Sequence, residues 1–150
     1  MSPRRRLMQA TLKMEGEPGY SHCANLLVRS WRMIMVRGVE CPLIAREFKC
    51  VCGRSSPQVF SAFCSFLCAL ALTQRRCLLV NPPGEHALTA DETRMLTLIA
   101  AAQNDCPRML DAHLSWLAQR PLHKTLEQSV RDFAAVLSSH RLRLPAPVPH

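Results

Sequence analysis

The sequence predicts an all-α, single-domain bundle of about six helices, and three observations carry that expectation. Apolar residues return every three or four positions in stretch after stretch, the period of a helix with one buried side. Residues that start and stop helices, such as Pro42, Gly53 and the Thr89–Glu92 run, punctuate those stretches. Val59 to Leu72 holds only two polar side chains, Ser61 and Ser65, so this segment must be hidden from water. As a helix over 56–74 it is the expected buried centre of the fold.

Residues 1–20 read as a disordered basic tail opening Met1-Ser2-Pro3-Arg4-Arg5-Arg6, with no apolar run behind the charges to form a signal-peptide core. The first helix is expected from a cap at Ser21 to a stop at Gly38. Its wheel puts Ala24, Leu27, Val28, Trp31, Ile34 and Met35 on one side and Arg29, Arg32 and Arg37 on the other. Pro42 opens a second helix, where its missing N–H is no loss, and Gly53 ends it; Ile44, Phe48, Val51 and Cys52 form its stripe.

Ser55-Ser56-Pro57-Gln58 has the spacing of a capping box for the central helix. That helix is lopsided. Val59, Phe60, Phe63, Phe66, Leu67 and Leu70 make a thick face, and each would forfeit about 1.5–3 kcal/mol if left in water. Ser61, Ser65, Cys68 and Leu72 mark the thin face, which suits close approach of another helix from this chain or from a second copy. Cys77–Val80 reads as a short extended segment, broken by Asn81-Pro82-Pro83-Gly84.

Thr89-Ala90-Asp91-Glu92 is a second capping box, with both acids at the positive end of the helix dipole. That helix runs to about Asn104. Asp105 is the expected cap of the next, which has Met109, Leu110, His113, Leu114 and Leu117 inside. A last helix starts at Pro121 or Thr125 and carries Leu122, Leu126, Val130, Phe133 and Leu137 on one stripe. The domain is expected over 21–144, with a proline-rich tail at 145–150.

Charge is distributed unevenly. Of a net +8, residues 1–80 hold twelve Lys/Arg and four Asp/Glu, whereas 81–150 hold seven of each. A basic first half suits an acidic partner, and Arg4, Arg5, Arg6, Arg29, Arg32, Arg37, Arg75 and Arg76 are its candidate surface. Such a surface grips phosphates without reading bases; the helix at 56–74 offers only Gln58, Ser61 and Ser65 where a recognition helix needs reaching polar side chains. The apolar stretch 59–72, at ~1.5 Å per residue, is too short for a ~30 Å hydrocarbon layer, so no transmembrane segment is expected.

No catalytic or metal-binding set emerges. The cysteines, at 23, 41, 50, 52, 64, 68, 77 and 106, include no C-x-x-C pair. Cys64 and Cys68 share a helix face but sit in an apolar helix, where cysteine serves as a small hydrophobe. Cys106 at a helix start, two turns from His113, is the best-placed thiol, although Asp105 opposes its ionisation. The histidines are scattered, the acids cluster at helix starts, and five dispersed glycines make no phosphate loop. No cofactor is expected.

The segments Cys41-Pro42-Leu43-Ile44-Ala45-Arg46-Glu47-Phe48, Leu88-Thr89-Ala90-Asp91-Glu92 through Gln103, and Ala112-His113-Leu114-Ser115-Trp116-Leu117 resemble a group of small uncharacterised bacterial helical proteins. That resemblance spans about residues 24–145 and implies a compact helical fold without implying an activity. The sequence therefore leads to a non-enzymatic, cytoplasmic regulatory or adaptor protein acting through protein contacts, as a homodimer if Ser61, Ser65, Cys68 and Leu72 form a seam. The alternative is a nucleic-acid-associated protein using the basic half.

Overall fold

Helices α1 (Tyr20–Arg37), α2 (Pro42–Cys52), α3 (Ser56–Thr73), α4 (Ala90–Gln103), α5 (Pro107–Leu117) and α6 (His123–Ser139) make up the computed structural model, which describes residues 20–145. The fold is all-α; the described residues form no strand, and backbone pairing outside the helices brings Gln74 against Ala118. There Arg75 N donates to Leu117 O at 2.9 Å and Gln119 N to Thr73 O at 2.8 Å, tying the end of α3 to the end of α5. Cys77–Val80 joins no sheet. Residues 1–19 and 146–150 of the expected tails, with the Arg4–Arg6 cluster, lie outside the described residues, whereas Tyr20 belongs to α1.

The helix boundaries follow local chemistry. Gly38 and Gly53 take φ of 84° and 59°, the left-handed conformation that ends α1 and α2 at little cost only for glycine. Several junctions differ from expectation: α1 is already helical at Tyr20, so Ser21 lies within it, and α6 begins at His123 rather than at Pro121 or Thr125. Ser55 makes no side-chain cap bond, because Gly53–Ser55 form a 3-10 turn that carries helical geometry straight into α3. Asp105 caps nothing: it stands at φ 49° past the end of α4, and Cys106 N reaches back to Ala101 O at 2.9 Å. This Schellman closure makes Cys106 the residue before α5. Arg141 repeats it after α6, with Leu142 N on Leu137 O at 2.8 Å.

Packing is organised by the phenylalanines. Phe48 of α2 meets Phe60 and Phe63 of α3 at 5.1 and 6.0 Å between ring centroids. Phe133 of α6 lies 5.5 Å from both Phe63 and Phe66. All five phenylalanines of the chain thus form one connected set. α3 packs on α6 and α2, α4 packs on α5 and α6, and α1 leans mainly on α2.

α3 is enclosed on one face only. Val59, Phe63, Phe66 and Leu70 are buried, whereas Ser61, Ser65, Cys68 and Leu72 are exposed. Among the described residues, the bent helical stretch Pro42–Thr73 is the one long and apolar enough by composition to cross a membrane, with mean hydropathy 1.5 and 33% of its most apolar window buried. Length alone does not decide that point, since the 18 residues of α3 reach about 27 Å.

Candidate functional site

An apolar groove of about 300 Å³ opens between α1, α3 and the segment after α3. Trp31, Ile34, Met35 and Val39 form one wall, Cys64, Leu67, Cys68 and Ala71 the other, with Cys77, Leu78 and Val80 closing the end. Met35, which lines it, is 61% exposed, and Leu72 of α3, outside the groove, is 73% exposed. From Val59 to Thr73 no Asp, Glu, Lys, Arg or His interrupts α3, so its outward side offers water almost nothing to solvate.

The loop bordering this groove is held by two carboxylates at the start of α4. Thr89 caps the helix in a full capping box with Glu92, as the sequence predicts. Glu92 does more than cap. Its Oε1 accepts from Thr89 N at 2.8 Å and from Arg32 NH2 at 2.9 Å; its Oε2 accepts from Arg32 Nε at 2.7 Å and Asn81 N at 3.2 Å. Arg32 also donates to Glu85 O at 2.6 Å and Ala87 O at 2.8 Å. Arg32 is 4% exposed and Glu92 0%, so this is an ion pair inside the protein, with each carboxylate oxygen accepting two bonds and four of the five guanidinium N–H groups bonded.

Asp91, also buried, repeats the pattern. Arg76 grips it with two bonds, of 2.7 and 2.9 Å, Leu79 N donates at 2.8 Å, and Arg94 reaches it at 3.3 Å. Burial alone would raise the Asp91 carboxyl, but the Arg76 bonds, Leu79 N and Arg94 outweigh it and hold the group below its usual range. The same pairing raises Arg76. Neither carboxylate has a free lone pair facing a cavity, so the two acids serve architecture rather than proton transfer.

The predicted arginine surface is therefore divided. Arg32 leaves it altogether: it lies inside the protein, not on an arginine face. Arg76 is committed to Asp91, and exposed Arg29 pairs with Glu47 at 2.7 Å. Arg75 is exposed and donates to Ser115 O at 3.2 Å, and Arg37 is exposed at the end of α1. Of the predicted arginines within the described residues, Arg37 and Arg75 are the two with no carboxylate partner. By contrast, Ser61, Ser65, Cys68 and Leu72 do come together on one open face.

All eight cysteines are free thiols, and no group of three or more His, Cys, Asp or Glu among the described residues could hold a metal ion. Burial, with Cys52 nearby, pushes Cys23 up to about 12, and burial also raises Cys52 and Cys64. A raised thiol is less readily ionised than a free cysteine, so burial works against activation at these three positions. Cys106 stands before α5 with its carbonyl accepting from Leu110 N at 3.0 Å. The groove's α1 wall escaped the sequence reading because Met35 was assigned to the core side; Val39, beyond the helix stop, carried no signal at all. No family model matches the chain, and comparison with curated proteins and with solved structures found no match.

Proposed function

We propose that this chain is a small, non-enzymatic, cytoplasmic regulatory or adaptor protein, akin to the small bacterial helical proteins it resembles, which works by binding protein through the outer side of α3 and the adjoining groove. In this reading α3 is the central helix of a six-helix bundle that becomes fully covered only when a second copy docks. One observation carries it: Ser61, Ser65, Cys68 and Leu72 form an exposed, uncharged stripe at alternating four- and three-residue spacing. That spacing is the seam of a helix pair, and small side chains let two backbones approach.

Self-association has an electrostatic argument in its favour. The first half of the chain is strongly basic, so most pairings between two copies through that half would place like charges together. The charge-free α3 face avoids that repulsion. Membrane insertion is disfavoured because the opposite face of α3 is occupied by Phe133 and its neighbours, and because Arg46, Glu47 and Lys49 lie in α2.

Sedimentation across a concentration series tests the reading. Wild type is expected to approach dimer mass, and Leu72→Arg to remain monomeric with unchanged helical circular dichroism. A wild-type chain that stays monomeric at every concentration would remove the pairing. Retention on heparin that survives in Arg37→Ala/Arg75→Ala but is lost in a chain lacking residues 1–19 would instead favour a nucleic-acid partner.

A further inference from the structure

We propose that Cys64 and Cys68, on the α3 wall of the apolar groove, form a two-thiol site for a trivalent arsenical that carries one apolar organic group. The pair stands one helical turn apart, the spacing at which helix side chains are neighbours, with Cβ atoms about 5–6 Å from each other. Both residues line the groove. Sequence alone makes them small hydrophobes of a buried helix, but Cys68 is exposed and Cys64 only partly buried, so neither is sealed in the core.

Coordination number and charge together select the ligand. Cys77 lines the same groove, yet among the described residues no three His, Cys, Asp or Glu converge as a metal ion would require. A zinc ion, which needs four ligands, is not served; a centre satisfied by two sulfurs is. Thiols are the only ionisable groups in the groove lining, and burial raises that of Cys64. A cuprous ion on two thiolates would leave a net negative charge there with no cation in the lining, at a cost in desolvation. A monoorganic arsenical, R–As(OH)2, leaves none. Each As–OH bond gives way to an As–S bond, and each hydroxyl departs as water with the thiol proton. Arsenic stays trivalent and the product is neutral.

The groove then accounts for the organic group, which fills the third valence of arsenic. Trp31, Ile34 and Met35 of α1 and Leu67 of α3 supply apolar walls around the pair. The groove's volume of about 300 Å³ exceeds the ~150 Å³ of a cavity that holds benzene, so a phenyl ring fits. Other thiols are worse placed: Cys50 and Cys52 stand two positions apart on α2 and do not face each other, and Cys23 is fully buried. The site is complete within one chain, so it does not depend on α3 pairing, although an occupied Cys68 sits on the stripe where a second copy would dock.

Phenylarsine oxide, added to dilute full-length protein kept reduced by a phosphine, tests the site. Native mass spectrometry is expected to show a single phenylarsenic group per chain, and maleimide should then spare Cys68 while still labelling Cys50 and Cys77. Cys64→Ser and Cys68→Ser should each lower affinity about 100-fold or more, because the second As–S bond closes within one molecule. Cys68, being exposed, can be replaced without endangering the fold. Ser65→Cys added to Cys68→Ser restores the number of thiols but not their spacing, and should bind as poorly as Cys68→Ser alone. Cys77→Ser should match wild type. A methyl group in place of phenyl should weaken binding about tenfold or more, the loss of buried aromatic area. Absence of an adduct, an adduct at another pair, affinity retained in Cys68→Ser or in the relocated variant, or methyl binding as tightly as phenyl overturns the proposal.

Discussion

Replacing Arg32 by Met should be among the most damaging single changes available to this protein. The substitution leaves the Glu92 carboxylate fully buried, with Thr89 N and Asn81 N as its remaining donors, and it orphans the carbonyls of Glu85 and Ala87. Breaking a buried pair by removing one partner costs about 3–5 kcal/mol, because the surviving charge keeps its desolvation without its counter-ion. Glu92→Met should cost a similar amount by stranding the guanidinium. The double variant removes both charges at once and should cost well below the sum, with a coupling of about 2–3 kcal/mol. Arg32→Lys keeps the charge but cannot serve both carboxylate oxygens and two carbonyls, so about 1–2 kcal/mol is expected. Urea unfolding followed by circular dichroism gives all four values. If the total stability lies at the low end of the usual ~5–15 kcal/mol, the single variants will be partly unfolded and Arg32→Lys becomes the informative one. An Arg32→Met cost below about 1 kcal/mol, or an additive cycle, would refute the reasoning, since neither is compatible with a desolvated, mutually dependent pair.

Three further outcomes follow from the packing and the titrating groups. Phe63→Ala, which empties the ring lying between Phe48 and Phe133, should lower stability by about 3–5 kcal/mol in the same unfolding assay, and a loss under about 1 kcal/mol would contradict the aromatic cluster. Because the folded protein holds the Asp91 carboxyl below its usual range, the stability it contributes is present above about pH 4 and is lost as the pH falls through the folded value; unfolding free energies measured down the acid limb should fall less steeply in Asp91→Asn than in wild type. Exposed Cys50, Cys68 and Cys77 should take up a maleimide in the native protein, whereas Cys23, buried and pushed up to about 12, should be labelled only on unfolding, as peptide mass spectrometry will read directly.

Local signals in the sequence located the helices well and their tertiary roles less well. Pro42, Gly38, Gly53 and the Thr89–Glu92 capping box act within a few residues of themselves, so spacing alone places the ends they mark. Asp105 was misread because an acid before a proline-led helix suits an N-cap equally well; the left-handed turn it adopts depends on Cys106 N finding Ala101 O. Arg32 was misplaced for a stronger reason. A helical wheel sorts side chains by polarity, and a guanidinium counts as outward unless its partner is known, but that partner stands sixty positions further on. The thin face of α3 was legible because exposure there follows from side-chain size along a single helix.

The buried pair also explains why two cavities of opposite character occupy so small a protein. α1 divides them: Trp31, Ile34 and Met35 face the apolar groove, while Arg29, Ser30 and Met33 line a more polar cleft of about 460 Å³ between α1 and α2. Arg32 lies on the same helix between these residues, and its guanidinium fixes the loop that walls both sites, with Leu78 and Val80 bordering the groove and Pro83 and Gly84 bordering the cleft. α1 packs chiefly on α2, and this guanidinium–carboxylate joint ties it to the start of α4. A charge buried at that joint costs desolvation, yet it gives the fold something an apolar contact would not: a directional link among helix, loop and helix start that sets the position of all three. Both open surfaces of the protein are therefore shaped by one interior ion pair, and loosening it in Arg32→Lys should disturb the groove and the cleft together rather than either alone.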